Sequence, residues 1–286
     1  MLHLTPEKHD FPQQLNTCHP AVRELFIQSD CWPEIMQKPM LAVVGSRHVS
    51  PYGRAVTESL VRAVAARGVV IVSGLALGTD SIAHQAALDA GGTTIAVLPS
   101  GLESIYPSSH RNLAEHIVKQ GGALVTEYSP KLKIGFKGNF IARNRVIAGL
   151  SFAVLVTEAS EKSGSLHTAS FALEQGKEVL AVPGPITNIT STGCNNLIKT
   201  GATPITTPED IFDALKLHTD SVVAHDVQAA NPAEHAILQV LQRGVHDGEA
   251  LYAQSGLSLS EYQQTLSMLE ITGKIKATGA DTWTLK

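Results

Sequence analysis

The chain has 286 residues, a formal net charge of −4, and 43% hydrophobic, 17% charged and 5% aromatic residues. This balance excludes a disordered or fibrous chain and suits one large domain with a smaller companion. The negative charge excludes a coat of nonspecific basic surface, so any nucleic-acid site must be local.

The opening residues, MLHLTPEKHDF, lack the basic end and apolar core of a signal peptide, and no apolar run approaches the ~20 residues that span a bilayer. A cytoplasmic protein without membrane contact is therefore expected. Cys18, Cys31 and Cys194 are odd in number and widely spaced, which supports neither a disulfide framework nor a zinc site. Residues 1–39, including a helical-looking stretch at 21–27, are too few for a core of their own. They are read as an N-terminal extension packed on the main domain.

From residue 40 onward apolar runs alternate with helical patterns. LAVVG precedes 52–67, VVIVSG precedes 75–90, TTIAVLP precedes 108–120, ALVTEY precedes 139–150, FAVLVTEA precedes 163–175, and EVLAVPG follows. The runs are nearly continuous Val, Ile, Leu and Ala, as in parallel strands covered on both faces. Glycines at Gly68, Gly91 and Gly121 supply left-handed helix ends before the next strand. The expected fold is α/β: a Rossmann-like, doubly wound, mostly parallel sheet over 40–217.

Residues 218–232, HTDSVVAHDVQAANP, have weak periodicity and read as a linker. Over 233–286 three short amphipathic helices (233–243, 247–255 and 258–272) precede KIKATGADTWTLK, which alternates around a glycine turn. This predicts a small winged-helix-like domain. Its cations Arg243, Lys274, Lys276 and Lys286 are outnumbered by Glu234, Asp247, Glu249, Glu261, Glu270 and Asp281. Such a module suits a protein partner better than duplex DNA.

Four stretches carry candidate chemistry. At Gly45-Ser46-Arg47 a strand ends in glycine, but the G-x-G-x-x-G dinucleotide fingerprint is missing. What remains is a turn, a hydroxyl and an Arg fork able to hold one phosphate, against a plain reading of a helix start with a surface Arg. In Ser73–His84, SGLALGTDSIAH, Asp80 and His84 lie four apart on one helical face; local capping and packing is favoured over an acid/base pair. KLKIGFKGNFIARNR, residues 131–145, carries Lys131, Lys133, Lys137, Arg143 and Arg145, with no acidic residue between Glu127 and Glu158. Phe136 and Phe140 interleave these cations, as a single-strand binder needs, and a solvated basic loop over two core phenylalanines is the competing reading. Ser163-Gly164-Ser165 starts another helix after a strand and offers a further anion cradle. No G-x-S-x-G elbow makes Ser165 a nucleophile.

In order, VVGSR, S-x-YG, VSGLALGTD-x-x-AH, TIAVLPSGL-x-x-x-YP, NF-x-x-RNRVIAGLS, VTEA-x-x-x-SGSLHTA, AVPG and G-x-N-x-LI-x-x-GA closely resemble the DprA/Smf family of bacterial DNA-processing proteins, from about residue 40 to 217. The resemblance implies an extended Rossmann fold, a homodimer, and a binder of single-stranded DNA that protects incoming DNA and helps load the RecA recombinase in natural transformation. It implies no catalytic residue, metal or cofactor. Onto this chain it carries Gly45, Ser46 and Arg47 at a DNA phosphate, with Lys137, Asn139 and Phe140 lining a strand-binding pocket. Arg143, Asn144, Arg145, Ser163, Gly164 and Ser165 lie alongside. Leu77, Thr79 and Ile141 depart from the residues common in the family at their positions. The alternative is a related Rossmann-like LOG nucleotide hydrolase acting on nucleoside monophosphates. Glu174 would serve it, but the P-G-G-x-G-T-x-x-E pattern of those enzymes is not reproduced.

Overall fold

In the computed structural model of the chain, which describes residues 1–133, 138–217, 231–242, 245, 247–279 and 282–285, the apolar runs form strands and the stretches between them mostly helices. The chain divides into two units, Met1–Leu217 and His218–Lys286.

The first unit begins with β1 (Leu2–Leu4), β2 (Leu25–Gln28) and α1 (Trp32–Ile35). The regular alternation follows: β3 (Met40–Val44), α2 (Pro51–Ala66), β4 (Val70–Ser73), α3 (Thr79–Asp89), β5 (Thr94–Val97), α4 (Arg111–Lys119), β6 (Ala123–Thr126) and α5 (Gly138–Leu150). It continues through β7 (Ala153–Val156), α6 (Ser165–Glu174), β8 (Glu178–Ala181), α7 (Thr192–Lys199), β9 (Thr203–Pro204) and α8 (Pro208–Ala214). The sheet order is β1-β2-β6-β5-β4-β3-β7-β8-β9. Strands β3 to β9 pair in parallel, and β1 and β2 are antiparallel additions at one edge. This is the doubly wound, mostly parallel α/β sheet that the alternation predicts.

Side chains along each strand point alternately to the two faces, and both faces are dry. Along β3, Met40, Ala42 and Val44 enter the core beneath α5, α6 and the N-terminal segment, while Leu41 and Val43 enter the core beneath α2, α3 and α8. Residues 21–27 are not helical. Residues 25–28 form β2, which pairs with β6 through Phe26 to Thr126, Ile27 to Val125 and Gln28 to Leu124. The open backbone edge of β6 and the burial of alternate residues Leu25 and Ile27 outweigh helical propensity there. Phe11, Leu15, Trp32 and Ile35 also lie in the main core, so the N-terminal segment covers the sheet edge and one face.

In the second unit, three helices, α9 (Pro232–Gln242), α10 (Gly248–Ser255) and α11 (Leu259–Ile271), precede a hairpin of β10 (Ile275–Gly279) and β11 (Thr282–Leu285). Ser258 and Glu261 close a capping box on α11. The unit has its own core, including Ile237, Leu241, Leu251, Leu266 and Leu269, and Lys274 pairs with buried Glu234 at 2.7 Å. Of the expected linker only Asn231 and Pro232 are described; Asn231 accepts the Glu234 amide at the start of α9. Arg243, Asp281 and Lys286 lie outside the described residues.

Candidate nucleic-acid interface

The sheet winds from β3 towards β4 in one direction and towards β7 in the other, so the carboxyl ends of β3 and β7 flank the switch point where doubly wound sheets hold their ligands. The turn after β3 is packed too closely for a side chain at Gly45. A Cβ there would stand 2.5 Å from Thr79 Oγ1 and 2.8 Å from the Glu158 carbonyl oxygen. Ser46 is held at both ends of its backbone: its amide donates to the Glu158 carbonyl at 2.7 Å, and its carbonyl accepts the Thr79 amide at 3.0 Å. Its hydroxyl bonds the His48 backbone, at 2.9 Å to the carbonyl and 3.1 Å from the amide. Ser46 is thus spent on the turn, which presents Arg47, exposed beside His48, with its guanidinium 5.6 Å from the centre of the Phe140 ring. Behind it the buried Glu158 carboxylate accepts the Ser50 amide at 2.8 Å and the Thr190 hydroxyl at 2.6 Å, and so anchors the start of α2. Sequence reasoning gave Glu158 no role; its place at the end of a strand, before a glycine-serine turn, was the available signal.

The turn after β4 is ordered by Asp80, His84 and Arg143. Asp80 accepts the amides of Gly74 at 3.1 Å and Ala76 at 3.3 Å. His84 Nε2 accepts the Leu75 amide, so Nδ1 carries the proton and donates to Thr94 Oγ1 at 2.7 Å, whose hydroxyl donates to the Ile71 carbonyl. This arrangement requires a neutral imidazole, and burial, together with the Arg143 charge, holds its pKa down at about 3. Leu75 is left-handed at φ 57° and is pinned from both sides, since His110 Nδ1 donates to its carbonyl. The Asp80 and His84 pair is therefore a structural clamp and no acid/base couple.

Arg143 reaches under this turn from α5. It is 4% exposed and its Nη1 donates to the Gly74 and Val97 carbonyls. A Cβ at Gly74 would overlap the guanidinium, so any other residue there must displace Arg143. Burial lowers the Arg143 pKa to about 10, opposed by Asp80, so it remains a cation at neutral pH. Burial pushes the Asp80 carboxyl up, with Arg143 and the two amides opposing. Arg143 Nε has no partner among the described residues and the side chain reaches the cleft.

These turns enclose a cavity of about 440 Å³. Gly45, Arg47, Phe140, Arg143, Asn144, Ser163, Gly164 and Ser165 all line it, although they come from three separate stretches of sequence. Asn144 donates to the Gly164 carbonyl at 3.4 Å, and the hydroxyls of Ser163 and Ser165 are 2.8 Å apart. Phe140 separates this cavity from a smaller notch of about 40 Å³ lined by Leu77, Pro99, Tyr106 and Pro107. Tyr106 meets Phe140 edge to face, with centroids 5.5 Å apart. Asn139 stands just outside, its amide donating to the Pro99 carbonyl at 3.3 Å.

The basic window does not form one surface. Arg145 is turned away from the cleft and held in a bidentate pair with Glu127, at 2.5 and 2.6 Å, while its Nε donates to the Pro20 carbonyl. One helical turn separates Arg143 from the Phe140 side, but two residues further on α5 points to the N-terminal segment, which sequence spacing alone did not locate. Lys131 and Lys133 line a third hollow. Phe136 and Lys137 lie outside the described residues. Of the departures, Leu77 is 51% exposed at the notch and Ile141 46% exposed at the cavity, while Thr79 Oγ1 is buried without a partner among the described residues. Glu174 is exposed and does not line the cavity, and among the described residues the carboxylate that does, Asp80, is occupied by backbone amides. Among the described residues no cluster of His, Cys, Asp and Glu could hold a metal, and no helix is long and apolar enough to cross a membrane.

Residues 3–216 match the family described as DNA recombination-mediator protein A. The chain is 46% identical to protein Smf of Escherichia coli over 75% of its own length and 57% of that protein's. It is 39% identical to the DNA processing protein DprA of Streptococcus pneumoniae over 73% of its length and 76% of that protein's. The X-ray structure of the Streptococcus pneumoniae protein aligns with a TM-score of 0.68 at 38% identity, covering 74% of this chain and 73% of that one. A Helicobacter pylori DNA processing protein A structure, described as giving insight into its single-stranded DNA binding mode, aligns with a TM-score of 0.67 at 31% identity and covers 76% of this chain and 97% of that one. The match spans about six-tenths of the length of several curated relatives.

Proposed function

This chain belongs to the DNA recombination-mediator protein A family, and from that premise we propose that its switch-point cleft binds single-stranded DNA. The observation that carries the reading is the meeting of Arg47 and Phe140 at the mouth of a cavity that also gathers Gly45, Arg143, Asn144 and the Ser163-Gly164-Ser165 helix start. A phosphate bound at the Arg47 fork and the helix N-terminus leaves its base beside the Phe140 ring, which gives a cation for the backbone and an aromatic face for an unstacked base. The contacts proposed, to a phosphate and to a ring face, carry no base-edge readout of sequence. Lys137 is included in the proposed site on the family resemblance.

Among the described residues the carboxylate that lines the cavity, Asp80, is occupied by backbone amides, and His167 at the lining forms no ion pair with an acid, which supports a non-enzymatic mediator over a nucleotide hydrolase. We further propose that it acts in the cytoplasm as a homodimer, protects incoming strands and helps load RecA during natural transformation; family membership supports these assignments.

The test is binding of a fluorescent oligothymidylate by wild type, Arg47→Ala and Phe140→Ala. Arg47→Ala should reduce the slope of log affinity against log salt by about 0.7, one phosphate contact. Phe140→Ala should weaken binding about five- to 150-fold, the equivalent of ~1 to 3 kcal/mol, at an unchanged slope. Wild-type affinity and slope in both variants would reject the assignment, as would release of free base from AMP by the purified protein.

A further inference from the structure

The cleft does not end at Phe140. The notch beyond it shares Arg47, Ala76, Phe140 and Arg143 with the main cavity and reaches Tyr106. Tyr106 is in turn a wall of the third hollow, about 390 Å³, whose other lining includes Lys131, Lys133 and Glu103. Three hollows therefore run in series, with an aromatic ring at each junction.

We propose that the bound strand leaves the cleft across Tyr106, which stacks the base next to the one on Phe140, and that Lys131 and Lys133 hold the phosphates that follow. This rests on the cleft being a single-strand site, and it extends that site beyond the residues already assigned to it.

Tyr106 is 46% exposed, so its ring is open to a ligand, and its edge-on contact with Phe140 fixes the angle between the two platforms. The ring faces of adjacent platforms are then set near a right angle, at 75°, so successive bases are splayed and not stacked on one another. Leu77 and Pro99 make the intervening notch apolar, which suits a base better than a phosphate. Beyond it the chemistry changes to charge. Lys131 and Lys133 are exposed and neither forms an ion pair among the described residues. Their loop is fixed to the segment that leads to Tyr106: the Gly101 amide donates to the Leu132 carbonyl at 2.9 Å, and the Glu103 amide to the Pro130 carbonyl at 3.0 Å. Glu103 is the opposing charge in this hollow and leaves a local balance of one cation.

Two labelled oligothymidylates test the proposal, a short one confined to the cleft and a long one reaching the lysines, on the order of 4 and 16 nucleotides. The variants are Tyr106→Ala, Tyr106→Phe, the double variant Lys131→Ala with Lys133→Ala, and Glu103→Gln, with Arg47→Ala as control. The lysine pair should bind the short strand as wild type does, but lose affinity for the long strand and lower its salt slope by about 1.4, two contacts. Tyr106→Ala should weaken the long strand about five- to 150-fold while Tyr106→Phe retains it, and Glu103→Gln should tighten it. Circular dichroism of each variant separates loss of fold from loss of contact, and Tyr106→Phe keeps the ring packing intact. Wild-type binding of the long strand by the lysine and Tyr106→Ala variants, with Arg47→Ala impaired, overturns the track but leaves the cleft standing. If Arg47→Ala is also unimpaired, the cleft itself is wrong.

Discussion

Replacing Arg143 with Met exposes how the cleft is built. The substitution keeps much of the side-chain volume but removes the buried guanidinium that donates to the Gly74 and Val97 carbonyls and faces Asp80. Two buried carbonyls lose their donor, and a buried carboxylate loses its counter-charge. Leaving a buried acceptor without its donor costs about 1 to 3 kcal/mol for each carbonyl, and the Asp80 carboxylate, which feels the Arg143 charge without a direct ion pair, adds a pH-dependent part. The cost should grow with pH. Burial already raises the Asp80 pKa above its unfolded value, and loss of the cation raises it further. A carboxyl shifted upwards in the folded state contributes its stability below its unfolded pKa, and that contribution is lost as pH rises through the folded pKa. Arg143→Met should therefore be least damaging in acid, and Asp80→Asn in the same chain should recover a large part of the loss at neutral pH. Thermal unfolding by circular dichroism across pH measures the cost, and hydrogen exchange at Gly74 and Ala76 reports the turn. A loss under about 1 kcal/mol, or one independent of pH and of Asp80→Asn, would refute this account of the network.

His84 predicts a second pH effect of opposite sign. Its pKa is lowered to about 3, so the folded protein holds it neutral while the unfolded chain binds a proton below about 6.5; stability should fall as pH drops from there towards 3, with a slope of up to ~1.4 kcal/mol per pH unit. His84→Gln should flatten that limb relative to wild type in the same unfolding series. Leu77→Arg places a cation on an exposed position at the notch, so the salt slope of oligonucleotide binding should steepen by about 0.7. Gly74→Ala should displace Arg143 and reproduce its loss of stability, read by the same thermal unfolding. Deleting residues after Asn231 removes the separate C-terminal unit and should leave single-strand affinity largely unchanged in an anisotropy titration.

The sheet was legible because continuous Val, Ile and Leu runs at helix-length intervals have few other ways to bury both faces. The N-terminal segment was less so: residues 25–28 carry only four positions of pattern, and what makes them a strand is the distant edge of β6. The short α7, β9 and α8 lay under a stretch without strong periodicity, and α8 declares itself chiefly by the Thr207 and Asp210 capping box. At the site, Gly45, Arg47 and the Ser163-Gly164-Ser165 turn were readable as strand ends, since glycine and hydroxyl residues there announce a close backbone approach. What sequence could not assign was the direction of each cation. Arg143 and Arg145 are two residues apart on one helix, yet one supports the cleft from beneath and the other serves Glu127. Tyr106 was quoted as part of a motif, but only the fold brings its ring to Phe140.

The most direct test of the central claim is a competition titration in which unlabelled single-stranded DNA, duplex DNA of the same sequence and mononucleotide each displace a labelled single strand from the full chain, repeated with Arg47→Ala. A single-strand cleft at Arg47 and Phe140 predicts displacement by the single strand far ahead of both rivals and a shallower salt dependence in the variant. Equal displacement by duplex or mononucleotide, or a variant indistinguishable from wild type, would contradict it.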